Sequence, residues 1–303
     1  MKKFSLLRLS VVAFTVLSVF AVSCSDDDEA TPPAQTVTDI VVSDPNFSIL
    51  EAAVVKAGLA NALATTNPIT VFAPDNAAFT ASGISEATIA SLPAATVSDI
   101  LKYHVHSGLV ASTAVPVSDA ITTLGGTSLF ASRNANGVFM NGIKVKQADV
   151  SASNGVIHVI EKVLTEPTQT IAAIAASDTS FSFLVAAVTK VGLLSAISGP
   201  GKFTVFAPTN NAFRAAGITD INAVDLATLN TVVRYHVLTT NVFASDLINN
   251  TTAQTLQGGN LRITLPPAAV KIDGSAQVAS NITAANITAT NGVIHVIDRV
   301  LLP

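Results

Sequence analysis

The stretch Thr70-Val71-Phe72-Ala73-Pro74-Asp75-Asn76-Ala77-Ala78-Phe79 decides how this chain is read, because it occurs twice. It returns as Thr204 to Phe213 with eight of ten residues identical. Thr70-Val71-Phe72 is a β-prone run that Pro74 ends, and Asp75 stands where a helix over the next residues would be capped. The second copy has Thr209 at that place. Asp and Thr share little beyond the ability to accept hydrogen bonds from free N–H groups at a helix start. Asp75 and Thr209 are therefore expected to be structural caps.

Working outward, three more blocks recur in the same order. Asn154-Gly155-Val156-Ile157-His158-Val159-Ile160 returns unchanged as Asn291 to Ile297, and Tyr103-His104-Val105 returns as Tyr235-His236-Val237. Ser43 to Leu59 matches Ser177 to Leu193 at eleven of seventeen positions. The offsets are 134 for the first and last of these four blocks, 137 for the Asn-Gly block and 132 for the Tyr-His block. Colinear repeats with small loop changes mean a duplicated domain of about 130 residues, an ordinary domain size. The join falls near Thr165–Thr170.

Each block has a physical reading. Phe47, Leu50, Val54 and Ala57 fall on one helical face before Gly58, and Phe181, Leu184, Val188 and Val191 do so before Gly192. Val97, Ile100, Leu101 and His104 follow i, i+3, i+4, i+7 spacing, as do Leu229, Val232, Val233 and His236, so both histidines lie on an apolar helix face. Asn154-Gly155 signals a hairpin turn. The strand after it is apolar on both sides, which predicts a buried central strand. His158 and His295 lie within that strand. All four histidines are expected to be neutral, hydrogen-bonded core groups.

Together the four blocks resemble the fasciclin domain of extracellular adhesion proteins, twice over and in that family's order. The likeness runs over residues 36–165 and 166–303. It implies an α+β fold: two tandem fasciclin-like domains, each a β-strand wedge or sandwich with several flanking α-helices. It also implies adhesive binding, with the Tyr-His region linked to integrin-type receptors. Carried over, that link would make Tyr103, His104, Tyr235 and His236 candidate partner-binding residues, although their apolar helix face argues that they pack inward. Copy two departs from the pattern in having Asn286 where copy one has Asp149, and in a divergent segment Leu256–Ser280 containing Pro266-Pro267.

The N-terminus reads differently. Lys2, Lys3 and Arg8 precede an apolar run from Leu9 to Val22, too short to span a bilayer as a helix. It ends in Ala21-Val22-Ser23-Cys24, which resembles the lipobox of bacterial lipoproteins, with Ala21 where leucine is usual. By that resemblance residues 1–23 are a lipoprotein signal peptide and Cys24 is the lipidated new N-terminus. Residues 24–35 form an acidic tether whose run Asp26-Asp27-Asp28-Glu29 is similar to signals that send lipoproteins to the outer face of the outer membrane. The expected location is thus the outer membrane, lipid-anchored and facing the cell surface, with the periplasmic face as the alternative.

Composition narrows the function classes. The formal net charge is −4, and losing Lys2, Lys3 and Arg8 with the leader takes it to −7. No basic stripe exists to neutralise phosphates, so no nucleic acid is expected as a partner. Cys24 is the single cysteine, which excludes an internal disulfide and any thiolate metal site. His104-x-His106 could bring two imidazoles to a metal, but copy two has Leu238 at the second position and no third ligand is evident. No nucleophile elbow or phosphate-binding loop is present. The chain is expected to be no enzyme, with neither metal nor cofactor. The leading expectation is a surface-tethered lipoprotein adhesin that binds cells, a matrix protein, a polysaccharide or itself. A small-ligand or glycan-capture lipoprotein serving uptake is the alternative. Acyl chains hold a protein to a membrane through about 0.8 kcal/mol per buried methylene. Cys24→Ala should therefore move the chain from the membrane fraction into the soluble extract; equal partition of both forms would contradict the lipid anchor.

Overall fold

A computed structural model describes residues 34–265, 271–273 and 279–303. The leader, Cys24 and the acidic run of the tether lie outside the described residues, as does Pro266-Pro267. The first domain runs through α1 (Val37–Ser43), α2 (Ser48–Lys56), α3 (Ala60–Thr65), β1 (Ile69–Pro74), α4 (Asn76–Ala81), α5 (Glu86–Ser91) and α6 (Ala94–Tyr103). Six strands follow: β2 (Val105–Ser107), β3 (Ser118–Thr122), β4 (Ser128–Asn134), β5 (Gly137–Met140), β6 (Ile143–Ala152) and β7 (Gly155–Ile160).

The second domain repeats this order. Its helical part comprises α7 (Ile171–Ser177), α8 (Ser182–Lys190), α9 (Leu194–Ser198), β8 (Phe203–Pro208), α10 (Asn210–Ala215) and α11 (Leu226–Tyr235). A single 3-10 turn at Ile221–Ala223 stands where the first domain has α5. The strands are β9 (Val237–Leu238), β10 (Thr251–Gln254), β11 (Asn260–Thr264), β12 (Lys271–Asp273), β13 (Ala279–Ala289) and β14 (Gly292–Ile297).

Local chemistry starts and stops these elements as expected. Asp75 Oδ1 accepts from Ala78 N at 2.9 Å, and Thr209 Oγ1 accepts from Ala212 N at 3.3 Å, so two different side chains cap equivalent helices. Gly58 and Gly192 follow α2 and α8 with φ of +66° and +71°. Phe47, Leu50 and Val54 are buried, as are Phe181, Leu184 and Val188.

Each domain has one seven-stranded sheet, in the order β2-β1-β7-β6-β5-β4-β3 and β9-β8-β14-β13-β12-β11-β10. The pairs β1–β7 and β8–β14 are parallel and the rest antiparallel. The strands of the parallel pairs are buried along nearly their whole length, which explains their unbroken apolar runs. One face of β1 and β7 packs on the helices through Ile69, Val71, Ala73, Ile157 and Val159. The other face contributes Phe72 and Ile160 to a second core with Leu129, Met140 and Val145. Irregular register in β6 between Val145 and Val150 divides the sheet into the two halves that enclose this second core.

The bulge carries the Asp149/Asn286 departure. Both residues sit in the left-handed region, with φ of +58° and +61°, where a short polar side chain is tolerated best. Asp149 Oδ1 accepts from Ser112 N at 2.8 Å, and Asn286 Oδ1 accepts from Ala244 N at 2.8 Å. The same loop is held in both copies, so the exchange preserves the structural contact.

The Asn-Gly pair does more than turn the chain. The Asn154 side chain is buried, accepts from Val37 N at 2.9 Å, and donates to Leu63 O, Ala64 O and Thr66 O at 2.7, 3.2 and 3.1 Å. Asn291 accepts from Ile171 N at 3.0 Å and donates to Ile197 O and Gly199 O, both at 2.8 Å. Beside them, a Cβ on Gly155 would lie 2.1 Å from Ile69 O, and one on Gly292 would lie 2.0 Å from Phe203 O. No larger residue fits without parting the parallel strands. Asn154→Ala leaves buried backbone groups unpaired and should lower unfolding free energy by about 2–4 kcal/mol. Denaturant melts check this, and a loss under about 0.5 kcal/mol would show the clamp to be dispensable.

Candidate functional site

The motif residues singled out from sequence are framework groups. His104 and His236 are each 2 % exposed, and Tyr103 and Tyr235 are 0 and 1 % exposed. His104 Nδ1–H donates to Ile100 O at 2.8 Å and its Nε2 accepts from Leu164 N at 2.9 Å. His236 repeats this with Val232 O at 2.7 Å and Leu301 N at 2.9 Å. Each ring thus ties the end of its helix to the chain that leaves the last strand. The four Tyr and His side chains are closed to solvent, so the partner-binding role implied by resemblance has no accessible side chain to act through.

The strand histidines are equally committed. His158 Nε2–H donates to Val110 O at 2.7 Å, Nδ1 accepts from Asp149 N at 3.3 Å, and the ring stacks on Phe72 at 5.6 Å. His295 donates to Val242 O at 2.8 Å, accepts from Asn286 N at 3.4 Å and stacks on Phe206 at 5.6 Å. With both nitrogens of all four rings on backbone partners, none is free to bind a metal or move a proton. His106, the other half of the His-x-His pair, donates Nδ1–H to Thr122 O at 2.7 Å. Among the described residues no group of three or more His, Cys, Asp or Glu is placed to hold a metal ion.

What the sequence did not single out is the seam between the domains. The rings of Phe130 on β4 and Phe243 after β9 meet at 5.1 Å and form a small apolar cluster with Val293. Ser132 Oγ donates to Asp246 Oδ1 at 2.5 Å, and Asn134 Nδ2 donates to Ser245 O at 2.7 Å. At the rim, Lys202 Nζ lies 3.0 Å from Asp119 Oδ1. The seam therefore joins an apolar centre to a polar margin, the arrangement of a specific protein interface.

Two concavities flank it. One, of about 660 Å³, opens between Phe139, Lys144 and Lys162 of the first domain and Ser245, Asn286 and Thr288 of the second. The other, of about 250 Å³, is lined by Tyr103, Thr127 and Phe130 from one side and Lys202, Asn241 and Phe243 from the other. In its wall, the Tyr103 hydroxyl donates to Ser128 O at 3.3 Å and accepts from Asn141 Nδ2 at 2.9 Å. Burial pushes the Tyr103 pKa up to about 12, so the hydroxyl remains protonated at neutral pH.

A signal for the seam exists in the departures from the repeat. Tyr103 and Tyr235 reach Ser128 O and Asn260 O, which aligns Phe130 with Arg262. Likewise Val110 and Val242 serve His158 and His295, which aligns Phe243 with Ala111. A large apolar residue thus stands in each copy where the other copy has a polar or small one, and the two meet.

Burial pushes the pKa of His104 and His236 down to about 4, and His295 is lowered by burial as well. The unfolded value is about 6.5. The folded chain therefore binds fewer protons across that interval. Stability is complete above about pH 6.5 and is lost as pH falls toward about 4, by roughly 3 kcal/mol for each of the two helix-end histidines. Urea melts should show this acid decline, and His104→Gln should flatten part of it. A stability that stays level from about pH 7 to about pH 4 would contradict the assignment.

The fasciclin domain model matches residues 45–166 and 179–303. The pig transforming growth factor-beta-induced protein ig-h3 is 28 % identical over 249 residues, covering 77 % of this chain and 34 % of its own length. Protein sll1483 of Synechocystis is 36 % identical over 149 residues, 48 % of this chain and 79 % of that protein. The chain thus spans about a third of the pig relative's length. A solved FAS1 domain pair from the insect cell adhesion molecule Fasciclin I is similar at 19 % identity and a TM-score of 0.43, covering 88 % of this chain and 96 % of that one. With both halves matched by the family model, over most of the chain, this protein belongs to the fasciclin domain family and carries two tandem fasciclin domains.

Proposed function

We propose that the chain is an adhesive binding protein, tethered at the cell surface through lipid on Cys24, that engages cells, a matrix polymer or a second copy of itself. The observation that carries this reading is the commitment of the motif side chains. In both copies the histidines that could do chemistry spend their nitrogens on backbone groups, which leaves surface recognition as what the domains offer. Family membership supports it, through the adhesion role that the fasciclin resemblance implies. The lipobox-like leader supports outer-membrane anchoring with the domains facing outward, and the acidic tether supports display on that face.

Physical chemistry adds a reason for two domains on one chain. A second contact made by a tethered partner is intramolecular, so two modest sites bind with an avidity that neither has alone. The seam holds the two domains as one unit, which fixes the spacing of such sites. Labelled Ala30–Pro303 should bind intact cells of the source organism, and binding that requires the cells' own copy of the gene would identify self-recognition. Equal binding to cells with and without the gene would identify a different surface partner. Failure to bind cells or matrix polymers at high concentration would refute the adhesive reading.

A further inference from the structure

The sequence holds four Asn-Gly pairs, beginning at Asn136, Asn141, Asn154 and Asn291. This dipeptide is the one most prone to spontaneous loss of the Asn side-chain amide. A following residue without a Cβ lets its own backbone nitrogen swing onto the neighbouring carboxamide. The fold treats the four pairs differently. Asn154 and Asn291 are the buried clamps, their carboxamides held by backbone groups. Asn141 is buried too: its Oδ1 accepts from Phe130 N and its Nδ2 donates to the Tyr103 hydroxyl, both at 2.9 Å.

Asn136 has none of these restraints. It is exposed in the turn between β4 and β5, and its carboxamide has no hydrogen-bond partner among the described residues. Gly137 follows with a φ of +126°, and, its chain neighbours aside, the atom nearest to a Cβ built there is Lys144 Cε at 3.7 Å. The turn is therefore uncrowded around the reacting groups. The reaction itself needs only water. The Gly137 nitrogen attacks the side-chain carbonyl carbon of Asn136, the bond to the side-chain nitrogen breaks, and ammonia leaves with the Gly137 proton. Water then opens the succinimide at either carbonyl to give aspartate or isoaspartate, and nothing is oxidised or reduced.

We propose that Asn136 is a site of spontaneous deamidation, and that its isoaspartyl product loosens the hold of the first domain on the second. The turn belongs to the seam. Asn136 N donates to Asn134 Oδ1 at 2.8 Å, and the same Asn134 carboxamide donates Nδ2 to Ser245 O of the second domain at 2.7 Å. Asn134 pairs with Gly137 across the hairpin, and Ser132 on the same strand bonds Asp246. An isoaspartyl linkage routes the main chain through the side-chain methylene, so it lengthens the backbone between Asn136 and Gly137, inside that pairing. A plain aspartate adds charge and leaves the backbone path as it was. The inference concerns the seam alone and does not rest on the adhesive reading.

The test is incubation of the purified chain in mildly alkaline buffer, folded and in urea, with peptide mapping by mass spectrometry over days. In urea all four pairs should react, because they share one chemistry. In the folded chain Asn136 should react roughly tenfold or more faster than Asn141, Asn154 and Asn291, which react only when the fold opens around them. Equal rates at the four sites in the folded chain, or an Asn136 as inert as the buried three, would overturn the assignment. The isoaspartyl form, separated by chromatography, should then show faster hydrogen exchange at Phe243–Asp246 than the parent. Asn136→Asp should exchange there like the parent. Asn136→Gln, whose longer side chain closes the ring poorly, should stay protected throughout the incubation. Exchange that stays level in the isoaspartyl form, or rises equally in Asn136→Asp, would overturn the link to the seam.

Discussion

Where the helices, the first strand and the last strand of each domain converge, a single buried carboxamide holds them together. Asn154 accepts from the first N–H of α1 and donates to the carbonyls that end α3, while sitting in the turn that feeds β7. Immediately beside it, Gly155 lets β7 approach β1 more closely than any side chain would allow. The parallel pairing that follows joins strands whose paired residues lie 86 positions apart in sequence. Such long-range pairing closes a large loop before its contacts contribute, so a buried clamp that ties the same distant segments adds to what holds the loop closed. Asn291 and Gly292 repeat the arrangement in the second domain.

The histidines follow from the same constraint. Once β1 and β7 lie parallel with both faces covered, any polar side chain on them must find its partners inside the protein. His158 does so with one backbone carbonyl and one backbone N–H, while Thr70 donates to Gly108 O and accepts from Val110 N. Thr204 copies this in the second domain with Thr240 O and Val242 N. These buried groups pin the loop after β2 and its counterpart after β9. Their repetition in both copies reflects a shared hydrogen-bonding requirement.

The two copies diverge where they touch. β4 is buried on both faces: Leu129 and Ala131 face their own core, while Phe130 and Ser132 face the second domain. The equivalent strand in the second domain carries Arg262, exposed, in the place of Phe130. Duplication supplied two similar domains, and a few substitutions on outward-facing positions gave them an asymmetric contact. That contact also brings Thr127 of the first domain and Asn241 of the second to line one cavity.

Much of this was legible in the residues. Helix caps at Asp75 and Thr209, the stops at Gly58 and Gly192, and the inward face carrying His104 and His236 follow from periodicity and hydrogen-bonding capacity, which act within a few residues. Repetition of four blocks was enough to mark the duplication and the family. The Asn-Gly pair, by contrast, reads locally as a turn, yet Asn154 serves groups about 90 and 117 residues away. The seam was hard to see for a related reason: Phe130 and Phe243 each look like an ordinary apolar residue, and stand out only once the contacts of Tyr103 and Val110 align them with Arg262 and Ala111 of the other copy. Local elements are determined by short-range sterics and capping, which one sequence displays. Strand order, the clamp and the interdomain cavity are decided by contacts between distant segments, and such contacts leave no mark on either segment alone.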